Sequence, residues 1–121
     1  MISMFAIPNC DTVKKARTFL EKNKIDYEFI DFKKTQPTKA QIQAWSDCFG
    51  ELPVNKKGMT YRKYKDHYEA LSIQEQIDFI IANTSLIKRP VLEQDGKTIV
   101  LGFDEEQYKE LLRVNWKWLS Y

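Results

Sequence analysis

The stretch ISMFAIPNCDTVKKARTFLEKNKIDYEFIDF, residues 2–32, decides the fold. Ile2, Met4, Phe5 and Ile7 form a short apolar run that Pro8-Asn9 stops. A run this short and this apolar fits a central strand covered on both faces. From about Asp11 to Asn23 the period changes. Val13, Ala16, Phe19 and Leu20 recur at helical spacing, while Lys14, Lys15, Arg17 and Glu21 fall off that stripe. Tyr27 to Phe32 returns to strand, centred on Phe29 and Ile30. Strand, helix and strand in about 30 residues make a βαβ unit, which predicts two parallel strands joined by a right-handed crossover.

Outward from this unit, Thr38 with Gln41 spells a capping box, in which each side chain meets the other residue's backbone N–H. The helix it opens carries Ile42, Trp45 and Phe49 on one stripe and stops at Gly50, a helix-ending glycine. Residues 51–65 are polar and basic and carry no clear period. Ser72 with Glu75 is a second capping box, opening a helix whose stripe is Ile73, Ile77, Ile80 and Ile81 and which ends near Asn83. Val91-Leu92 and Thr98 to Leu101 flank Asp95-Gly96, a strong hairpin signal. Asp104 is placed to cap a last helix with Tyr108, Leu111 and Leu112 turned inward, and the tail from Val114 to Tyr121, with two tryptophans, is expected to pack on the body. The order β-α-β, helices, β-β-α predicts an α/β protein with a thioredoxin-like fold, a mixed sheet and a helical insertion, as one domain over residues 1–121.

Composition fits that picture. Of the 121 residues 43% are apolar and 30% charged, enough to fill one core and cover it. A net charge of +2 is too small to predict a nucleic-acid partner. No apolar run approaches the ~20 residues of a membrane helix, and Met1 to Phe5 lack the basic region of a signal peptide. The expectation is a cytoplasmic monomer with no membrane partner. Two cysteines, Cys10 and Cys48, do not make a disulfide scaffold, and in a reducing compartment their chemistry is catalytic or sensory. The lone His67 sits in a polar stretch with no second ligand at metal spacing, so no metal and no tightly bound cofactor are expected.

The chemistry converges on Cys10, where the first strand ends and the first helix begins. A thiolate there faces unpaired helix N–H groups and the positive end of the helix dipole, a setting that favours the thiolate over the thiol. Thr12 offers a hydroxyl, and Lys14 lies one turn on. A lone cysteine in an α/β protein is more often a small buried apolar residue; the strand-to-helix position is what sets Cys10 apart. The pattern is Cys10-Asp11-Thr12-Val13, so position 13 supplies no resolving thiol. Cys48, beside Trp45 and Phe49, is expected to be an inert packed thiol, and a role as resolving thiol stays open.

Three segments, Asn9-Cys10-Asp11-Thr12-Val13-Lys14-Lys15-Ala16-Arg17, Lys56-Lys57-Gly58 to Arg62-Lys63, and Ile87-Lys88-Arg89-Pro90-Val91, resemble the ArsC/Spx (arsenate reductase-like) family in its YffB-like branch, from residue 2 to about 112. The resemblance implies a nucleophilic Cys10, a cis Arg89-Pro90 bond beside it, and Arg89 as the cation for an oxyanion or a glutathione carboxylate. It implies a substrate- or glutathione-binding set of Asn9, Thr12, Asn55, Lys56, Lys57, Arg62 and Pro90. Arsenate reductases of this type place three arginines around the cysteine. Here the first position holds Asn55 and the third Gly102, leaving Arg89 alone. Lysines do not reproduce a planar bidentate fork. The resemblance therefore implies a glutathione-dependent thiol reductase, with glutathione as co-substrate, glutathione or a glutaredoxin-like protein as reductant, and an oxidised thiol as substrate. Arsenate reduction and a non-enzymatic Spx-like binding module are the alternatives.

Overall fold

A computed structural model describes residues 1–112. In chain order it contains β1 (Ile2–Ala6), α1 (Asp11–Lys22), β2 (Tyr27–Asp31), α2 (Lys39–Phe49), α3 (Met59–Glu69), α4 (Ile73–Ala82), a short 3-10 turn (Thr84–Leu86), β3 (Val91–Gln94), β4 (Lys97–Leu101) and α5 (Glu105–Leu112). The sheet runs β2-β1-β3-β4. β1 pairs parallel with β2 and antiparallel with β3, and β3 pairs antiparallel with β4. This mixed sheet with helices between its halves is the thioredoxin-like arrangement that the element order predicts. The hairpin turn carries positive φ at Asp95 (52°) and Gly96 (83°), the backbone a two-residue turn needs to match strand twist.

The alternation of a strand sorts the two faces. Ile2, Met4 and Ala6 pack with Val13, Ala16, Phe19 and Leu20 of α1 and with Tyr108 of α5. Phe5 and Ile7 pack with Trp45 of α2, Tyr61 and Tyr68 of α3, Ile77 and Ile80 of α4, and Leu86. Trp45 is fully buried against Phe5 and Phe32, with ring centroids at 5.2 and 5.8 Å, and its Nε1 donates to the Glu93 carboxylate at 2.8 Å. Both capping boxes form, at Thr38 and at Ser72, and α2 ends on left-handed Gly50 (φ 91°).

The segment 51–65, which shows no clear period, builds most of α3, whose buried side chains are the two tyrosines Tyr61 and Tyr68. The structure corrects three expectations. Ile73 is 61% exposed because it occupies the first position of α4, where the stripe runs past its packing partners. Leu111 is exposed near the end of α5, leaving Tyr108 as the buried residue of that helix. Cys48 is exposed rather than packed. At 100° per residue it falls about 60° beyond Trp45, at the edge of the α2 stripe. The expected packing of residues 114–121 lies outside the described residues.

Candidate functional site

Pro8 and Asn9 break β1, and Cys10 becomes the N-cap of α1 with extended backbone (φ −149°, ψ 125°). Its carbonyl accepts the first helical bond, from Lys14 N–H at 2.9 Å. No side chain caps this helix, so the amides of Asp11, Thr12 and Val13 in the first turn are left for another acceptor. Cys10 is half-buried, with its inner side against the α1 face of the core, while Asn9 and Thr12 are exposed. The thiol is thus reachable, and the helix end beneath it suits an anion.

The sheet register brings the second motif to the same end. Phe5 on β1 pairs with Val91 on β3, and Val91 pairs with Leu101 on β4. The end of β1, the start of β3 and the end of β4 therefore lie side by side, with Pro8 to Cys10, Arg89-Pro90 and Gly102 leading off them. The Arg89-Pro90 bond is cis. The Pro90 carbonyl accepts from the Gly102 amide at 2.8 Å. Arg89 donates through Nη1 to the Ser85 carbonyl at 2.8 Å, while its buried Nε has no hydrogen-bond partner among the described residues. A buried donor left in this state is uncommon and is what an incoming acceptor would satisfy.

The remaining expected residues are more dispersed. Asn55 Oδ1 accepts from Lys57 N–H at 3.2 Å and the Asn55 amide donates to the Leu86 carbonyl, so Asn55 shapes the turn before α3. Lys56 pairs with Glu51 at 2.9 Å, both exposed. The two line a depression of about 360 Å³ with Tyr61, Tyr68, Glu69 and Ile73, between α3 and α4. Lys57 and Arg62 are exposed. Among the described residues no hydrogen bond or ion pair ties these cations to the Cys10 end of the sheet. A larger cavity, about 530 Å³, opens between α1 and α5 against Lys14, Lys15, Phe19 and Phe103, starting one turn beyond Cys10. Partial burial pushes the Cys48 thiol up. Among the described residues no group of three or more acidic, histidine or cysteine side chains is placed to hold a metal, and no helix is long and apolar enough to cross a membrane.

One residue at this end of the sheet has no role in the sequence reading. The Lys88 side chain lies across Gly102, so close that a methyl group on Gly102 would come within 2.9 Å of Lys88 Cε. The signal for it was a glycine just past an apolar strand, a common mark of close approach.

The sequence model of the ArsC family matches residues 5–111. A solved structure of a YffB protein superposes with a TM-score of 0.82 at 35% identity, covering 93% of this chain and 99% of that one. A Brucella melitensis protein described as arsenate reductase (ArsC) related gives a TM-score of 0.70 at 34% identity, covering 93% and 94%. The global transcriptional regulator Spx of Streptococcus pyogenes is 28% identical over 115 residues, covering 93% of this chain and 85% of the regulator.

Proposed function

The chain belongs to the ArsC family, and on that footing we propose that it is a thiol-dependent reductase that uses glutathione, with Cys10 as its nucleophile. The observation that carries this reading is Cys10 as the uncapped N-terminus of α1, half-buried and at the sheet end from which Arg89-Pro90 leads off. Cys10 thiolate attacks the glutathione sulfur of a mixed disulfide R–S–S–G. The Cys10–sulfur bond forms, the old S–S bond breaks, and R–S⁻ leaves to take a proton from water. A second glutathione thiolate then attacks the Cys10–S–S–G adduct, freeing Cys10 thiolate and releasing oxidised glutathione. The reduction of R–S from disulfide to thiol is balanced by oxidation of the incoming glutathione from thiol to disulfide, while the glutathionyl sulfur delivered with the substrate stays at the disulfide level. The first-turn amides of α1 stabilise the thiolate before and after each step, and the unused Nε–H of Arg89 is a donor for a substrate anion.

Arsenate is the poorer substrate in this reading. A bound dianion needs several charge-assisted hydrogen bonds, each worth about 1.5–3 kcal/mol, and the resemblance puts Asn55 and Gly102 where two arginines would supply them. The deficit of about 3–6 kcal/mol is roughly two to four powers of ten in rate. The test is one preparation assayed on arsenate and on a glutathione mixed disulfide, with Cys10→Ser as control and mass spectrometry of the adduct. Disulfide turnover that vanishes in Cys10→Ser is expected. Brisk arsenate turnover without disulfide activity overturns the substrate, and activity surviving Cys10→Ser overturns the nucleophile.

The similarity to Spx favours a second reading, a regulatory binding module. Fully buried Val13 stands where a Cys-x-x-Cys pair would put its second thiol, so an internal disulfide switch of that spacing is absent. A Cys10 that forms no adduct with any disulfide would support the module.

A further inference from the structure

Gly102 is held from both sides. Its amide donates to the Pro90 carbonyl at 2.8 Å, and its carbonyl accepts from the Tyr108 hydroxyl at 2.7 Å. Its φ is +90°, and the end of the Lys88 side chain lies against the space a side chain on Gly102 would occupy. A methyl group at this position would meet not only Cε but also Nζ, at 3.8 Å. The Lys88 backbone is fixed as well, with its amide on the Pro53 carbonyl at 2.9 Å. Yet the ammonium makes no ion pair and no hydrogen bond among the described residues. A half-buried lysine whose stem is packed and whose head is unused has already lost much of the rotamer freedom that binding would otherwise cost. It also stands at the end of the sheet from which Cys10 and Arg89-Pro90 lead off.

We propose that Lys88 is the substrate-selecting cation of the Cys10 site, binding a carboxylate of an anionic disulfide such as a glutathionyl one; the inference rests on the Cys10 reductase reading. An ammonium is a point charge with three rotatable donors, so it accepts a carboxylate from many directions without the planar fork that an arginine presents. Gly102 belongs to the same device: its φ of +90° favours glycine, and a methyl group there would push the end of the lysine stem aside. Arg89 holds the neighbouring position with Nη1 on the Ser85 carbonyl and Nε–H unused, whereas the whole Lys88 ammonium is without a partner among the described residues.

The experiment follows a single turnover, so that no added reductant enters. Reduced protein is mixed with oxidised glutathione, or with the neutral 2-hydroxyethyl disulfide, and formation of the Cys10 adduct is timed by quenched mass spectrometry. Lys88→Ala should slow the reaction with oxidised glutathione about tenfold, the scale of one partly exposed charge-assisted hydrogen bond. It should leave the neutral disulfide within about twofold on the same scale. Lys88→Arg should restore most of the loss, and Gly102→Ala, which displaces the end of Lys88, should resemble Lys88→Ala. Raised salt should erase the preference of the unaltered protein for the anionic disulfide and barely move Lys88→Ala. Equal slowing of both disulfides by Lys88→Ala, or no slowing of either, overturns the proposal. A Cys10 adduct that forms without regard to Lys88 leaves the reductase reading standing. Failure of either disulfide to modify Cys10 removes that reading and this one together.

Discussion

Tyr108→Phe isolates a single hydroxyl at a joint of the fold. Tyr108 is fully buried, stacked edge-on against Phe19 at 5.7 Å and Phe103 at 4.7 Å, and its hydroxyl donates to the buried Gly102 carbonyl at 2.7 Å. Phenylalanine keeps the ring contacts and removes only the donor. The Gly102 carbonyl is then left without that partner, at a cost of about 1–3 kcal/mol, here taken as about 2. For a domain of this size, about 3–5 °C is lost per kcal/mol, which predicts a fall in Tm of roughly 6–10 °C. Urea unfolding should show a lower midpoint at unchanged slope, since the surface exposed on unfolding is the same. An alkaline arm checks the cause independently. Burial raises the Tyr108 phenol above its ordinary value, and Tyr61 and Tyr68 are pushed up to about 12. Below the unfolded value near pH 10 all three stay protonated in both states, so their contribution is complete. Above it the unfolded chain releases protons that the folded chain holds, and stability falls by about 1.4 kcal/mol per pH unit per phenol until the folded values are passed. Tyr108→Phe should therefore start less stable and lose stability less steeply above pH 10. A midpoint shift below about 0.5 kcal/mol would mean that water replaces the hydroxyl, and the reasoning would be wrong.

Other substitutions probe separate links. Cys48→Ser should leave disulfide reduction within about twofold, because an exposed thiol pushed up by partial burial is a weak competitor to Cys10; loss of turnover comparable to Cys10→Ser would make Cys48 a resolving thiol. Thr38→Ala removes the acceptor for the Gln41 amide at 3.1 Å and should cost about 1 kcal/mol in urea unfolding, with no change in adduct formation at Cys10. Ile80→Ala should cost about 2–5 kcal/mol and Ile73→Ala less than about 0.5, since the first is fully buried and the second 61% exposed; similar costs would contradict the placement of α4.

The strands, the hairpin and four of the five helices are legible in the chain, because their apolar residues recur at a regular period and three of those helices open on a capping side chain. Thr38-Gln41, Ser72-Glu75, Gly50 and Asp95-Gly96 each specify a backbone geometry locally, and each is found. α3 escaped because its inward residues are tyrosines seven apart among Lys, Arg, Asp and His, so a hydropathy period is nearly absent. Ile73 and Leu111 show the opposite failure. Their stripe is real, but a stripe does not say where the neighbouring element stops. At the site, Cys10 is readable from Pro8-Asn9 and the helix that follows. Arg89 and Pro90 came from resemblance rather than from any local period, since only β1–β3 pairing, made by residues distant in sequence, brings them near the β1 end. Gly102 marks a close approach but does not say of what: the Lys88 side chain that lies against it is brought there only when the sheet has closed.

The central strand has an uneven history during synthesis. Ile2 pairs with Tyr27 on one side and with Gln94 on the other. At roughly 5–20 residues per second, β1 and β2 are available to meet while the opposite edge of β1 waits several seconds for β3 to leave the ribosome. Through that interval a mostly apolar strand offers one unpaired rim to any passing chain, the condition under which nascent proteins need chaperones. Contacts that span most of the chain also slow the closing step itself. Cys10 is made early and Pro90 late, so thiol-labelling rates on nascent chains arrested before and after residue 94 would time the moment at which the strand gains its second neighbour.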